Sequence, residues 1–304
     1  MATQQPNKSY LNETREASLV ISTGYQGTGK SYQTLYTIRR YLAIHPSRKV
    51  LIYDVNGEFD QENCRKHGWD IYIPRLSPKI GDIQRFSAHS TERIKRIVPI
   101  DEETGKRYDI TGMKNILKTI LENFNKGLLL IEDMNKYLLQ VRHMEEIVST
   151  LISLRHQNLD AIVHLQSLAK IDPTLWENAK YIRMHWQTDG IERIEGRVPY
   201  FKLVRIAKFI VDYHYYELKD KRFFIWVSPQ ENTISGAFSK ADFKLGLYRY
   251  LKADKTELRE TCDIMNLDHK KFEDRMKAVD YLYRRNFFMY GNTDADAKVT
   301  SNPI

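Results

Sequence analysis

Only two cysteines, Cys64 and Cys262, occur among the 304 residues. Two make neither a disulfide framework nor a structural metal site, and so sparse a usage fits a reducing compartment with both thiols buried. No run approaches the ~18 apolar residues that a membrane-crossing helix requires. The N-terminal MATQQPNKSYLNETREA is polar and lacks the apolar stretch of a secretory leader. The expectation is a soluble protein with no direct membrane insertion, residing in the cytoplasm. No internal repeat is visible. Apolar residues at 42% and aromatics at 12% then exclude a disordered chain and point to a globular one. A net charge of +8 suits a polyanionic partner, but the positive residues are spread along the chain and serve a solvated basic surface equally well.

The chain carries one motif with a definite chemistry. In SLVISTGYQGTGKSYQ, an apolar strand runs directly into Gly24-x4-Gly29-Lys30-Ser31, and a helix-forming stretch follows. This is the setting of a P-loop. Its glycines turn backbone N–H groups toward phosphates, its lysine reaches the β and γ oxygens, and its serine hydroxyl joins the Mg²⁺ shell. Gly24, Tyr25, Gln26, Gly27, Thr28, Gly29, Lys30, Ser31 and Tyr32 are the expected nucleotide-binding residues, with ATP and Mg²⁺ as cofactors.

Apolar, β-rich runs alternate with helical stretches, the pattern of an α/β fold with a parallel sheet between helices. Strands are expected at 18–23, 49–55, 128–131 and 161–165, and helices at 30–44, 111–124 and 144–155. Between 56 and 109 polarity is mixed, and strands around 71–73 and 97–100 are the available reading. Further strands are expected at 181–186, 201–216, 222–227 and 233–238, extending the sheet or forming hairpins beside it. From about Ala241 the pattern turns helical, with Phe272, Met276, Val279 and Tyr283 on one apolar face and basic residues around it. The resulting division is an N-terminal extension (1–17), a P-loop domain with added edge strands (18–240), a small helical C-terminal appendage (241–290) and a disordered tail (291–304).

In GLLLIEDMN, four apolar residues end in Glu132 and Asp133. Carboxylates at the tip of a buried strand are costly unless a cation or a reacting water uses them. Glu132, with Ser31, would hold the metal, and Asp133 would polarise the attacking water, although a one-residue shift in register exchanges these roles. Asp133 could equally cap a following helix. In SLRHQNLDAIVHLQSL, Arg155 ends a helix and Gln166 ends a buried strand. A carboxamide there can bind the γ-phosphate or the water, and the arginine can reach a neighbouring subunit's phosphate. Lys30, Glu132, Asp133, Arg155 and Gln166 are therefore the candidate catalytic residues.

These motifs together resemble the FtsK/HerA superfamily of P-loop ATPases, the additional-strand, RecA-like branch that includes viral genome-packaging motors. The matching positions are Gly24 to Ser31, Asp54 in LIYDVNGEF, Glu132 with Asp133, Arg155 and Gln166, and the likeness covers roughly residues 18–190. It departs in the order of the acidic pair, which is usually Asp then Glu, and in lacking an arginine after Gln166. The resemblance implies a homo-oligomeric ring, pentameric or hexameric, that hydrolyses ATP at subunit interfaces and moves DNA without reading its sequence. A capsid portal or vertex protein would be a further partner, and basic residues between Arg65 and Arg107 are candidates to grip DNA.

Three other readings stay open. A filamentous-phage assembly ATPase of the zonula occludens toxin type shares the early P-loop but usually carries a membrane-spanning segment. A small-molecule kinase needs an acceptor pocket and has no use for a water-polarising acidic pair. A regulatory GTPase would use the D-x-x-G at Asp54 to Gly57, yet Leu138 stands where guanine recognition wants an aspartate.

Overall fold

A computed structural model describes residues 17–134, 141–198, 200–263 and 275–286. The strands are β1 (Leu19–Thr23), β2 (Lys49–Tyr53), β3 (Ile94–Ile97), β4 (Gly127–Ile131), β5 (Asp160–Leu165), β6 (Tyr181–His185), β7 (Phe224–Ser228) and β8 (Thr233–Gly236). They form one sheet in the order β3-β2-β4-β5-β1-β6-β7-β8. The first six are parallel, and β7 and β8 extend the sheet antiparallel. The helices are α1 (Lys30–Ile44), α2 (Gln61–Lys66), α3 (Ile80–His89), α4 (Ile110–Asn123), α5 (Val141–Ser153), α6 (Pro173–Asn178), α7 (Phe201–Tyr216), α8 (Lys240–Ala253), α9 (Lys255–Asp263) and α10 (Arg275–Asn286). This is the expected α/β fold, a mostly parallel sheet flanked by helices.

The near-continuous apolar runs follow from burial on both faces. In β4, Leu129 and Ile131 join one core, with α3 to α8, while Leu128 and Leu130 join the other, with α1 and Cys64 of α2. Parallel register aligns Thr23 with Leu165, and Ile131 with Val163. The segments that follow β1, β4 and β5 therefore emerge along one edge of the sheet.

Residues 201–216, read as a strand, form helix α7. Its β-branched and aromatic content favours a strand, but the buried positions Leu203, Ala207, Ile210 and His214 recur at helical spacing. Sixteen residues extended would also span about 50 Å, far beyond the other strands. Residues 71–73 form no strand. That segment leads to a single bridge between Arg75 and Arg96, and β3 lies a little earlier than expected. Two helices, α2 and α3, were hidden in the same mixed-polarity stretch.

Of the C-terminal helices, α8 packs on α7, and α9 and α10 pack in turn on α8. Phe243, Leu247, Tyr250 and Leu251 of α8 and Val279 of α10 belong to the same apolar cluster as the sheet. Among the described side chains of α10, Ala278 and Val279 are buried on the face that meets α8 and α9, whereas Met276, expected on the apolar face with Val279, is 58% exposed. Phe272, the side chain of Tyr283, residues 1–16 and the tail expected at 291–304 lie outside the described residues. Cys64 is buried as expected, but Cys262 is only partly so, on the solvent-rimmed helix α9.

Candidate nucleotide site

The loop between β1 and α1 is tied to the sheet on both sides. Gly24 N–H donates to the carbonyl of Leu165 at 3.3 Å, and Tyr25 N–H to that of Trp186 at 2.8 Å. Gly24 must lack a side chain, since a Cβ there would stand 2.6 Å from Cβ of His185. Gly29 takes the left-handed conformation at φ 88°, which starts α1 without a side chain over the loop. Lys30 folds across this turn, its Nζ donating to the carbonyls of Gly24 at 2.6 Å and Tyr25 at 3.0 Å. Burial lowers the Lys30 pKa, and the nearby Glu58 and Asp133 charges oppose that shift.

The acidic pair follows β4 at the same edge. Glu132 is almost wholly buried and accepts from Asn56 N–H at 3.0 Å. Burial, with the Asp54 and Glu58 charges beside it, holds its carboxyl well above the ordinary range. Asp133, at φ 44°, turns out of the strand direction, and Gln166 Nε2 donates to both its carboxylate oxygens at 3.0 Å. The structure thus brings together Lys30, Ser31, Glu132, Asp133 and Gln166 around a cleft of about 730 Å³, within the usual range for ligand sites. Gln26, Gly27, Gly29 and Tyr32 line it too, while Tyr25 packs edge-on against Trp186 and Thr28 bonds back to the Tyr25 carbonyl. Of Arg155 only the backbone is described. Its 3₁₀ turn, Leu154–Gln157, leads into the start of β5, at the sheet edge opposite the loop.

A third carboxylate escaped the sequence reading. Ser31 Oγ donates to Glu58 Oε2 at 2.6 Å, and Glu58 also shares a hydrogen bond with Glu132. Asp54, matched to the motif, does not face the cleft. It accepts from the backbone N–H groups of Glu58 at 2.8 Å and Phe59 at 3.2 Å, and from Arg96 at 2.7 Å. Asp54 therefore shapes the loop that presents Glu58. An acidic residue just past a strand end and a glycine was the available signal, but no periodicity or motif spacing marked it.

Ser31, Glu58 and Glu132 offer hard oxygen donors, the chemistry that suits Mg²⁺. Among the described residues no three His, Cys, Asp or Glu side chains form a ready metal cage.

Beneath the loop lies a buried polar layer. Arg183, fully buried in β6, donates to Ser22 Oγ at 3.0 and 3.1 Å, to the Lys30 carbonyl at 3.3 Å and to Thr34 Oγ1. Burial pulls its pKa down to about 9. Thr34 Oγ1 also meets His164 Nε2 at 2.7 Å. A guanidinium under the first turn of a helix adds positive potential where an anion would sit.

No family model and no curated protein matches the chain. Among solved structures it is similar to the genome packaging NTPase B204 from Sulfolobus turreted icosahedral virus 2 in complex with AMP, at 17% identity and a TM-score of 0.45, over 72% of this chain and 96% of that one. It is also similar to the N-terminal domain of zonular occludens toxin from Neisseria meningitidis, at 13% identity and a TM-score of 0.33, over 56% of this chain and 76% of that one. A KaiC-like protein from Pyrococcus horikoshii OT3 aligns at 14% identity and a TM-score of 0.36, over 58% and 76% of the two chains.

Proposed function

We propose that the chain hydrolyses ATP at this site and couples hydrolysis to movement of DNA, as a subunit of a viral genome-packaging motor. The observation that carries the hydrolytic part is the Asp133–Gln166 pair, at 3.0 Å, across the cleft from Lys30 and Ser31. Lys30 and the loop N–H groups hold the β and γ phosphates. Mg²⁺, held through Ser31, Glu132 and Glu58, would supply charge neutralisation of the phosphates. Asp133 accepts a proton from a water as its oxygen bonds to the γ-phosphorus and the bond to the β-phosphate oxygen breaks, leaving ADP and phosphate. Gln166 orients Asp133 and can report whether a γ-phosphate is present. A kinase would instead exclude water from this position.

The DNA-moving part rests on the motif-level resemblance to FtsK/HerA ATPases and on the basic balance of the chain. In a homo-oligomeric ring Arg155 of one subunit would complete a neighbour's site. The pore would hold DNA phosphates without reading bases, and a capsid portal or vertex protein would receive the ring in the host cytoplasm. The test is phosphate release with and without double-stranded and single-stranded DNA. The expected result is Mg²⁺-dependent hydrolysis raised by DNA and abolished by Lys30→Ala. Assembled wild-type protein that releases no phosphate, or that ignores DNA, contradicts the corresponding half of the proposal.

A further inference from the structure

One wall of the cleft is not used by this chemistry. Arg222, in the turn before β7, lies against the loop so closely that a Cβ on Gly29 would meet its Cγ at 3.3 Å. Its guanidinium stands over the Tyr32 ring, 5.2 Å from the ring centre, and the Tyr32 ring in turn meets His67 edge-on. Asp220 fixes the turn by accepting from Arg222 N–H at 3.0 Å. Among the described residues no carboxylate pairs with this guanidinium.

The strand order supplies the direction. β4, bearing Glu132 and Asp133, and β7, preceded by Arg222, lie on opposite sides of β1. A triphosphate in the loop with its γ end at the carboxylates and Gln166 directs its nucleoside end toward Arg222. We infer that Arg222, backed by the Tyr32 ring, is the ledge on which the purine ring of the nucleotide stacks. This rests on the nucleotide-binding reading above. A guanidinium plane stacks on aromatic faces and on bases alike, so ring, guanidinium and purine form a three-layer stack. Lys30 and the loop N–H groups already serve the phosphates, which leaves a guanidinium held over the Tyr32 ring free for the nucleoside end.

Calorimetric titration with Mg²⁺-ATP and, separately, with Mg²⁺ and inorganic tripolyphosphate tests the ledge. Arg222→Ala and Tyr32→Ala should weaken ATP roughly tenfold, the scale of one base stack, and leave tripolyphosphate binding unchanged. Arg222→Lys, which keeps the charge but loses the plane, should behave as Arg222→Ala does. Retained tripolyphosphate binding also shows that each variant is folded, as expected for an exposed side chain. Equal loss of both ligands, ATP affinity untouched in Arg222→Ala, or full rescue by lysine would each overturn the ledge and make Arg222 a phosphate contact or a bystander. Wild-type protein that binds neither ligand would instead remove the nucleotide reading itself.

Discussion

Asp133 and Glu132 differ by one position in the chain and by almost everything in their surroundings. Glu132 is buried with Glu58 and the Asn56 N–H, whereas Asp133 opens onto the cleft with Gln166. Burial among like charges favours a cation at Glu132, while a partly exposed, hydrogen-bonded carboxylate is suited to take a proton from water. Asp133→Asn should therefore lower turnover by about 10²- to 10⁴-fold while ATP still binds. Glu132→Gln and Glu58→Gln should raise the Mg²⁺ concentration needed for half-maximal activity by roughly 10- to 100-fold. Steady-state phosphate release across a Mg²⁺ titration separates the two effects, and the opposite pattern would exchange the roles of Glu132 and Asp133.

Helix α7 and its partner α8 set the position of the C-terminal helices. Gly246 of α8 sits directly on Ile210 of α7, where a Cβ would fall 2.5 Å from the Ile210 Cγ1 and 3.2 Å from the Ile206 carbonyl. Gly246→Val combines that clash with a β-branched side chain in a helix, and should destabilise the protein by about 2 kcal/mol or more. The urea midpoint should fall with little change in slope. An unchanged midpoint would mean that α8 does not rest on α7. The same pair shows why composition misleads for this element: α7 is rich in residues that favour strands, and its helical nature comes from burying one face against the sheet and the other against α8.

Across the whole molecule the buried polar layer beneath the loop links stability to pH. Burial, with the Arg183 and Lys30 charges nearby, holds the His164 and His185 imidazoles well below the ordinary histidine value. In the folded protein both stay neutral, while the unfolded chain takes up protons below about pH 6.5. Stability is thus full above that value and declines as pH falls through it, by up to about 1.4 kcal/mol per pH unit for each histidine. Urea unfolding between pH 7.5 and 5.5 should show this decline, and His164→Gln should reduce its slope by roughly half, His185 still contributing. A curve with the same slope in the variant would place the proton uptake elsewhere.

The phosphate loop, the buried strands β1, β2, β4 and β5 and the acidic strand end were legible because each is written in consecutive residues. A glycine spacing, an apolar run and a charge after it are local facts, and local chemistry requires them. The pairing of Gln166 with Asp133 could be expected because both end neighbouring strands of a parallel sheet. Glu58 at Ser31, 27 residues away, and Arg183 at Ser22, 161 residues away, follow from no local pattern. Arg222 on Tyr32 is likewise a contact between distant elements. The sequence by itself determined that a triphosphate loop and a carboxylate pair face each other across one sheet edge. Only the tertiary structure decided which further side chains join them, because strand order and helix packing bring remote residues together on grounds of shape and burial that no short stretch of sequence encodes.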